Sequence, residues 1–368
     1  MRIFLGEYIC GGGLIGQSVD SIPSSLLREG AAMLTALKED LSAFADVLVP
    51  IDPRIAPVAL DGMPQDDWKG HWIGKDRVSA FKVSASRPFL DQWIQQAKTC
   101  DAAIVIAPES GHTLHDTIEA FRSSAINIVA PNSEFTHIAS DKWVTAQRLI
   151  SAGVAHPATW SHAQVADLQG RDFRGGMDSL VLARDELSQS RRFILKPRDG
   201  CGSDGIVVCD HFHAAIQQIK ENQILQPWLP GQSISVSVIA NERGVELLPA
   251  VTQSIDPQTL QYFGGKGPLS EVYQARAHAL VRKALTAMPK LGAGFVGFDL
   301  VLDDDEQSDR LIEINPRMTT SYVGLRKIVS GNLAKRIFNL ESEPLNYRHP
   351  GQSIVWTPDG LVETAGQS

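Results

Sequence analysis

Two apolar runs in the last third of the chain carry polar side chains where a buried strand should have none. This constrains the chain more than any other feature. Gly-Phe-Asp-Leu-Val-Leu spans residues 297–302, and Leu-Ile-Glu-Ile-Asn-Pro-Arg spans 311–317. The connection between them, Asp303-Asp304-Asp305-Glu306-Gln307-Ser308-Asp309, is wholly polar, so the runs predict a β-hairpin. Side chains alternate along a strand, which puts Phe298, Leu300 and Leu302 on one face and Asp299 on the other. In the second run Ile312 and Ile314 are expected on the apolar face, with Glu313 and Asn315 opposite. If Asp299 pairs with Glu313, their Cβ atoms lie roughly 5 Å apart. Two carboxylates that close repel unless a cation or a proton sits between them. Asp, Glu and Asn make an all-oxygen set suited to Mg²⁺, which takes few protein ligands and completes its shell with phosphate oxygens and water. Arg317, just past the strand, is a candidate phosphate clamp. A hairpin with a solvated polar face has the same local pattern, so the rest of the chain must decide.

The chain has 368 residues, enough for two or three domains. Its net charge of −8 argues against a nucleic-acid-binding surface. No apolar run is long enough to span a bilayer, and the N-terminus enters a strand without the apolar core of a signal peptide. Cys10, Cys100, Cys201 and Cys209 show no metal-ligand spacing and fit a reducing, cytoplasmic setting.

Residues 1 to 130 alternate strand and helix. Strands are expected at Ile3–Ile9, Asp46–Ile51, Ala102–Ala107 and Asn127–Ala130, and helices at Ser24–Phe44, Phe89–Lys98 and His115–Ser124. This βαβ pattern predicts a parallel α/β layer. The texture then changes. A helix is expected over Ser140–Ser151, capped by Ser140 or Asp141, followed by strands near 193–196, 205–209, 224–228, 233–239 and 245–251. A long helix over 270–289 precedes the acidic hairpin, and the last thirty residues read as a loosely attached tail. Residues 161–190 give no clear assignment.

Phe193-Ile194-Leu195-Lys196 is a strand ending in lysine, followed by Pro197-Arg198-Asp199-Gly200-Cys201-Gly202-Ser203-Asp204-Gly205-Ile206. Glycines let backbone N–H groups approach a phosphate, and the lysine adds a point charge. An ordinary hairpin with a flexible turn would look similar; a Walker loop is absent. Lys142 opens a helix, where a lone lysine is usually only solvated. Ile224-Leu225-Gln226-Pro227-Trp228-Leu229-Pro230-Gly231 is a strand running into a Pro/Gly turn; it could offer backbone groups to an adenine edge or be a plain hinge.

Taken in order, these pieces resemble the ATP-grasp superfamily of carboxylate–amine ligases over about residues 133–340, and the N-terminal region resembles that family's pre-ATP-grasp domain. The resemblance implies an N-terminal parallel α/β domain (1–132), two α+β lobes clasping ATP (133–230 and 231–345) and a C-terminal tail (346–368). It implies that Lys142 and Lys196 face the nucleotide phosphates and that Gly200, Gly202, Ser203 and Gly205 belong to the loop closing over them. Gln226, Pro227, Trp228 and Leu229 would hold adenine. Asp299, Glu313 and Asn315 would bind Mg²⁺ (or Mn²⁺), with Arg317 near the transferred phosphate. The hinge departs from the usual pattern, with Gln226 in place of a glutamate and Ser233 in place of an acidic residue, which leaves the ribose contacts open.

The implied activity joins a carboxylate, activated as an acyl phosphate, to an amine. Phe4–Gly13, Leu27-Arg28-Glu29-Gly30, Tyr262–Pro268 and Asn315–Tyr322 resemble the branch containing tyramine–L-glutamate ligase, which works in methanofuran-type cofactor biosynthesis. That implies glutamate and tyramine as substrates, with Arg317 and the 262–268 loop at glutamate, and Glu7, Tyr8 or the glycines at 11–13 facing the cleft. A homodimer is a further implication. Another amino-acid or dipeptide ligase, or a non-catalytic nucleotide sensor, remains open. Gly11-Gly12-Gly13-Leu14-Ile15-Gly16 also matches a dinucleotide fingerprint, but the next helix is expected nearer Ser24 and the next strand ends too far along at Asp52.

Overall fold

The computed structural model describes residues 1–55, 77–170, 190–202 and 205–365. The N-terminal layer is a four-stranded sheet built from β1 (Arg2–Glu7), β2 (Asp46–Ile51), β3 (Val78–Lys82) and β4 (Ala102–Ile106), in the order β3-β2-β1-β4. All its pairings are parallel. β4 is buried along its whole length, as its unbroken apolar run requires. Along β1, Ile3 and Leu5 pack toward the Ser24–Ser42 helix, and Phe4 turns to the other face against Trp93 and Phe121. The segment expected as a strand at Asn127–Ala130 makes only an isolated parallel bridge, Ala103 to Ile128.

β1 stops at Glu7, two residues short of expectation, because the chain folds back there: Gly11 N–H donates to Glu7 C=O at 2.7 Å. Trp93 Nε1 donates to Gly11 C=O, and a Cβ on Gly11 would lie 2.5 Å from the Trp93 ring. These glycines admit a tryptophan. No helix opens on them, since the next one begins at Ser24 after a short 3₁₀ turn, so the dinucleotide motif lacks its helix.

A small antiparallel sheet follows, made of β5 (Trp160–Ser161), β6 (Phe193–Pro197), β7 (Val207–Cys209) and β8 (Gln223–Pro227), in the order β5-β8-β6-β7. Of the unassigned stretch, His162–Gly170 is helical. The large sheet contains β9 (Gln232–Asn241), β10 (Gly244–Leu247), β11 (Val251–Ile255), β12 (Tyr262–Gly267), β13 (Gly294–Leu302), β14 (Arg310–Asn315), β15 (Ser353–Trp356) and β16 (Val362–Ala365). It runs β14-β13-β9-β11-β12-β15-β16, with β10 pairing β9 to the side. The single strand expected over 245–251 is two strands. Between them Gln274, from the Glu271–Ala287 helix, binds both Ala250 N–H (2.7 Å) and Ala250 C=O (3.2 Å) and turns the chain inward.

Two core arrangements matter for the site. Phe135, Ala139, Leu149 and Val154 share a core with Phe298, Leu300 and Ile314, so the helices over 133–151 pack on the large sheet rather than with the small one. The C-terminal residues are no loose tail. β15 pairs with β12 and places Trp356, 1% exposed, in a slot formed by Gly265 and Gly324, where an added Cβ would come within 2.3 Å and 2.1 Å of its ring. Trp356→Ala is expected to cost about 3–5 kcal/mol of stability, read from urea unfolding midpoints. A loss below about 1 kcal/mol would show that this strand contributes little to the folded core.

Candidate active site

β13 and β14 form the predicted hairpin, and their register pairs Asp299 with Glu313. One detail differs. Leu300 pairs with Leu311, so Ile312 is an extra residue, a β-bulge. Ile314 therefore enters the core, but Ile312 is turned out to line a cleft instead of joining it on the apolar face.

That cleft holds about 390 Å³ between the two antiparallel sheets and the N-terminal layer. Lys142, Lys196, Gly200, Gly202, Gln226, Pro227, Trp228, Leu229, Asp299, Glu313, Asn315 and Arg317 all line it. Gly205 does not: its Cβ position is only 2.9 Å from Pro197, and its carbonyl accepts from Gln223. Ser203 lies outside the described residues. Glu7, Tyr8 and the glycines at 11–13 are also not cleft residues. Glu7 is buried beneath Gly30, and Tyr8 stacks edge-on with Phe89 at 5.3 Å.

The two lysines reach one carboxylate from different elements. Lys142 is placed by a helix that Asp141 caps, accepting from Trp143 N–H at 2.9 Å and Val144 N–H at 3.1 Å. Lys196 ends β6. Their Nζ atoms stand 3.8 Å and 3.6 Å from Glu313 Oε2. Lys142 Nζ also donates to Gly200 C=O, tying this helix to the glycine loop. Burial alone would raise the Glu313 carboxyl, but the charges of Lys142, Lys196 and Arg317 outweigh it and hold the pKa below the usual range. Lys196 is 6% exposed, and that burial lowers its pKa even against the pull of Glu313.

Asp299 behaves oppositely. Burial first, and the Glu313 charge second, push its carboxyl up to about 6, although Gln253 Nε2 (2.9 Å) and Asn315 Nδ2 (2.8 Å) donate to it. Two in-register carboxylates, one of them raised by loss of solvent and then by the other's charge, form an arrangement that a cation would relieve. The donor set is two carboxylates and an amide; among the described residues no group of three His, Cys, Asp or Glu side chains forms a metal site. A sparse oxygen set fits a Mg²⁺ that takes its remaining ligands from phosphate and water.

Arg317 follows the hairpin and is anchored from the N-terminal layer, its Nε donating to Glu109 Oε2 at 3.0 Å. Burial opposes its charge, but Glu109 more than compensates and the guanidinium is firmly protonated. Glu109, 3% exposed, was not singled out from the sequence; it sits just past β4 in a turn with no motif. Gln253 was missed for a similar reason, since its partner Asp299 lies 46 residues away. At the hinge, the unusual Gln226 is 3% exposed and donates to Thr159 Oγ1 at 2.8 Å. An amide satisfies that hydroxyl without burying a charge.

A family model described as "ATP-grasp domain" matches residues 139–321, the stretch that supplies both lysines, the hinge and the acidic hairpin. The chain belongs to the ATP-grasp superfamily. Its class is that of the ATP-dependent carboxylate–amine ligases. Among relatives, it is 23% identical over 261 residues to a tyramine–L-glutamate ligase of Methanocaldococcus jannaschii, covering 71% of this chain and 69% of that one. Its ATP-grasp fold is similar to that of an Archaeoglobus fulgidus protein described as of the ATP-grasp superfamily, with TM-score 0.65, 20% identity and coverage of 96% of this chain and 92% of that one. It is also similar to N5-carboxyaminoimidazole synthase of Aspergillus clavatus, solved with ADP and a ribonucleotide, with TM-score 0.61, 17% identity and coverage of 96% and 80%. At these identities the two structural likenesses speak for the fold alone.

Proposed function

We propose that this chain is an amide-forming ligase that joins tyramine to L-glutamate at the expense of ATP. The observation that carries the catalytic part is the convergence of Lys142 and Lys196 on Glu313, beside the paired Asp299 and the anchored Arg317. The relatives that bear the tyramine–L-glutamate ligase name support the substrate pair. In this reading Lys142, Lys196 and the loop at Gly200 and Gly202 face the triphosphate, and Gln226 to Leu229 lie along the adenine. Asp299, Glu313 and Asn315 would hold Mg²⁺, which when bound would supply Lewis-acid charge to phosphate oxygens.

The chain's own residues mainly position and neutralise. The lysines offset phosphate charge from largely buried positions, where each charge acts more strongly than in bulk water. Arg317, held still by Glu109, presents its remaining N–H groups to the carboxylate being phosphorylated, and no side-chain nucleophile is needed. The amine then displaces phosphate from the acyl phosphate, forming the C–N bond. The intact set of lysines, carboxylates and arginine argues against a nucleotide sensor without catalysis.

The test is ADP and phosphate release from ATP with tyramine and L-glutamate supplied together. Release is expected only when both are present, at least about 10-fold above either alone. Equal release with neither substrate, or release only with other amino acids, removes the tyramine–glutamate pairing.

A further inference from the structure

Glu29, on the Ser24–Ser42 helix of the N-terminal layer, opens onto the same cleft as Arg317 and Tyr262. Among the described residues its carboxylate makes no hydrogen bond and no ion pair. It feels two nearby cations without contacting either: Arg317, which Glu109 already binds at 3.0 Å, and Arg28, its neighbour in the chain. Burial raises the Glu29 pKa in consequence. Glu29 is half-buried, and a carboxylate partly removed from water without a partner is costly; a ligand that brings the opposite charge offsets that cost. A second polar group in the cleft is also unsatisfied: Thr319 Oγ1 is buried and has no hydrogen-bond partner among the described residues. Across from them Tyr262 OH accepts from Trp356 Nε1 at 3.0 Å, which fixes the ring.

One carboxylate and one hydroxyl are too few for a divalent cation. They suit an ammonium, which has three donors and no acceptor. Arg317 beside them suits the anionic end of the same or the adjoining substrate. We propose that Glu29 recognises the ammonium group of an amine-bearing substrate and so sets specificity at this end of the cleft. The inference rests on the ligase reading, which leaves two sources for the ammonium: the α-amino group of the amino acid and the amine that will become the nucleophile.

Calorimetric titrations in the presence of Mg²⁺ and a non-hydrolysable ATP analogue test it with two matched pairs, L-glutamate against glutarate and tyramine against 4-ethylphenol. Wild-type protein is expected to prefer the ammonium-bearing member of at least one pair by about 10–100-fold, the range of a charge-assisted hydrogen bond. Glu29→Gln should erase that preference while nucleotide affinity and melting temperature hold, and Glu29→Asp should restore part of it. Loss in the glutamate pair assigns the α-ammonium, and loss in the tyramine pair assigns the nucleophile. No preference in wild type, or a preference that Glu29→Gln retains, overturns the proposal. Binding is read without turnover, so wild-type protein that binds these ligands but releases no ADP rejects the ligase reading and not the role of Glu29.

Discussion

Asp299→Asn is expected to abolish turnover while making the protein harder to melt. Loss of one metal carboxylate should lower kcat by about 10³-fold or more, the several kcal/mol that metal charge supplies to a phosphoryl transfer. The gain in stability comes from the same residue. Asp299 is half-buried, and its carboxyl is pushed up to about 6, first by loss of solvent and then by Glu313 opposite it. A neutral side chain of the same shape removes both costs at pH 7. Gln253 and Asn315 each carry an amide that can turn to suit the new partner. About 1 kcal/mol, or a Tm higher by roughly 2 °C, is the expected scale. Wild-type protein should in turn gain about 3 kcal/mol from Mg²⁺–nucleotide at a hundred times its Kd, and the variant much less. A variant that turned over normally, with an unchanged Tm response to Mg²⁺–nucleotide, would remove the metal assignment.

Lys196→Ala should fail in a different way. Lys196 is buried, 3.6 Å from Glu313, and no solvent can replace its charge. Its loss should reduce kcat/KM for ATP by about 10²–10³-fold. Stability should fall by about 1–3 kcal/mol, because Glu313 loses one of the cations holding it ionised. Lys142 and Arg317 remain, which keeps the loss below that of an isolated buried pair. Lys196→Arg is not expected to rescue activity, since a planar fork does not fit where a compact ammonium stands. Steady-state kinetics with urea melts separates these outcomes; full activity in Lys196→Ala would remove the phosphate role.

How much of this was legible in the sequence depended on distance along the chain. The pairing of Asp299 with Glu313 could be read because both strands and their turn are contiguous and a period-two pattern sets which face is polar. The Ile312 bulge could not, because one extra residue leaves the composition of the strand unchanged. Lys196 could be read locally, as a strand-end lysine before a glycine loop, whereas Lys142 was recognisable only through its order relative to the other motifs; nothing local distinguishes it from a solvated helix lysine. Glu109, Gln253 and Glu29 were out of reach as site residues. Each acts through a partner or a cleft that only the packing of three sheets creates. Trp356 was lost for the opposite reason. The Pro, Gly and Ser around it suggest a tail, and the slot that receives it is defined by glycines, whose missing side chains are the signal.

The seating of Trp356 also bears on how the protein is made. A nascent chain that has left the ribosome only as far as Arg317 already carries both lysines, the acidic hairpin and the guanidinium. It lacks the indole that donates to Tyr262 and the strand that closes over β12. Synthesis of the phosphate-facing half of the cleft therefore precedes completion of its far wall. A ribosome stalled in that interval would hold a chain whose phosphate-facing residues are all made while the far wall of their pocket is not.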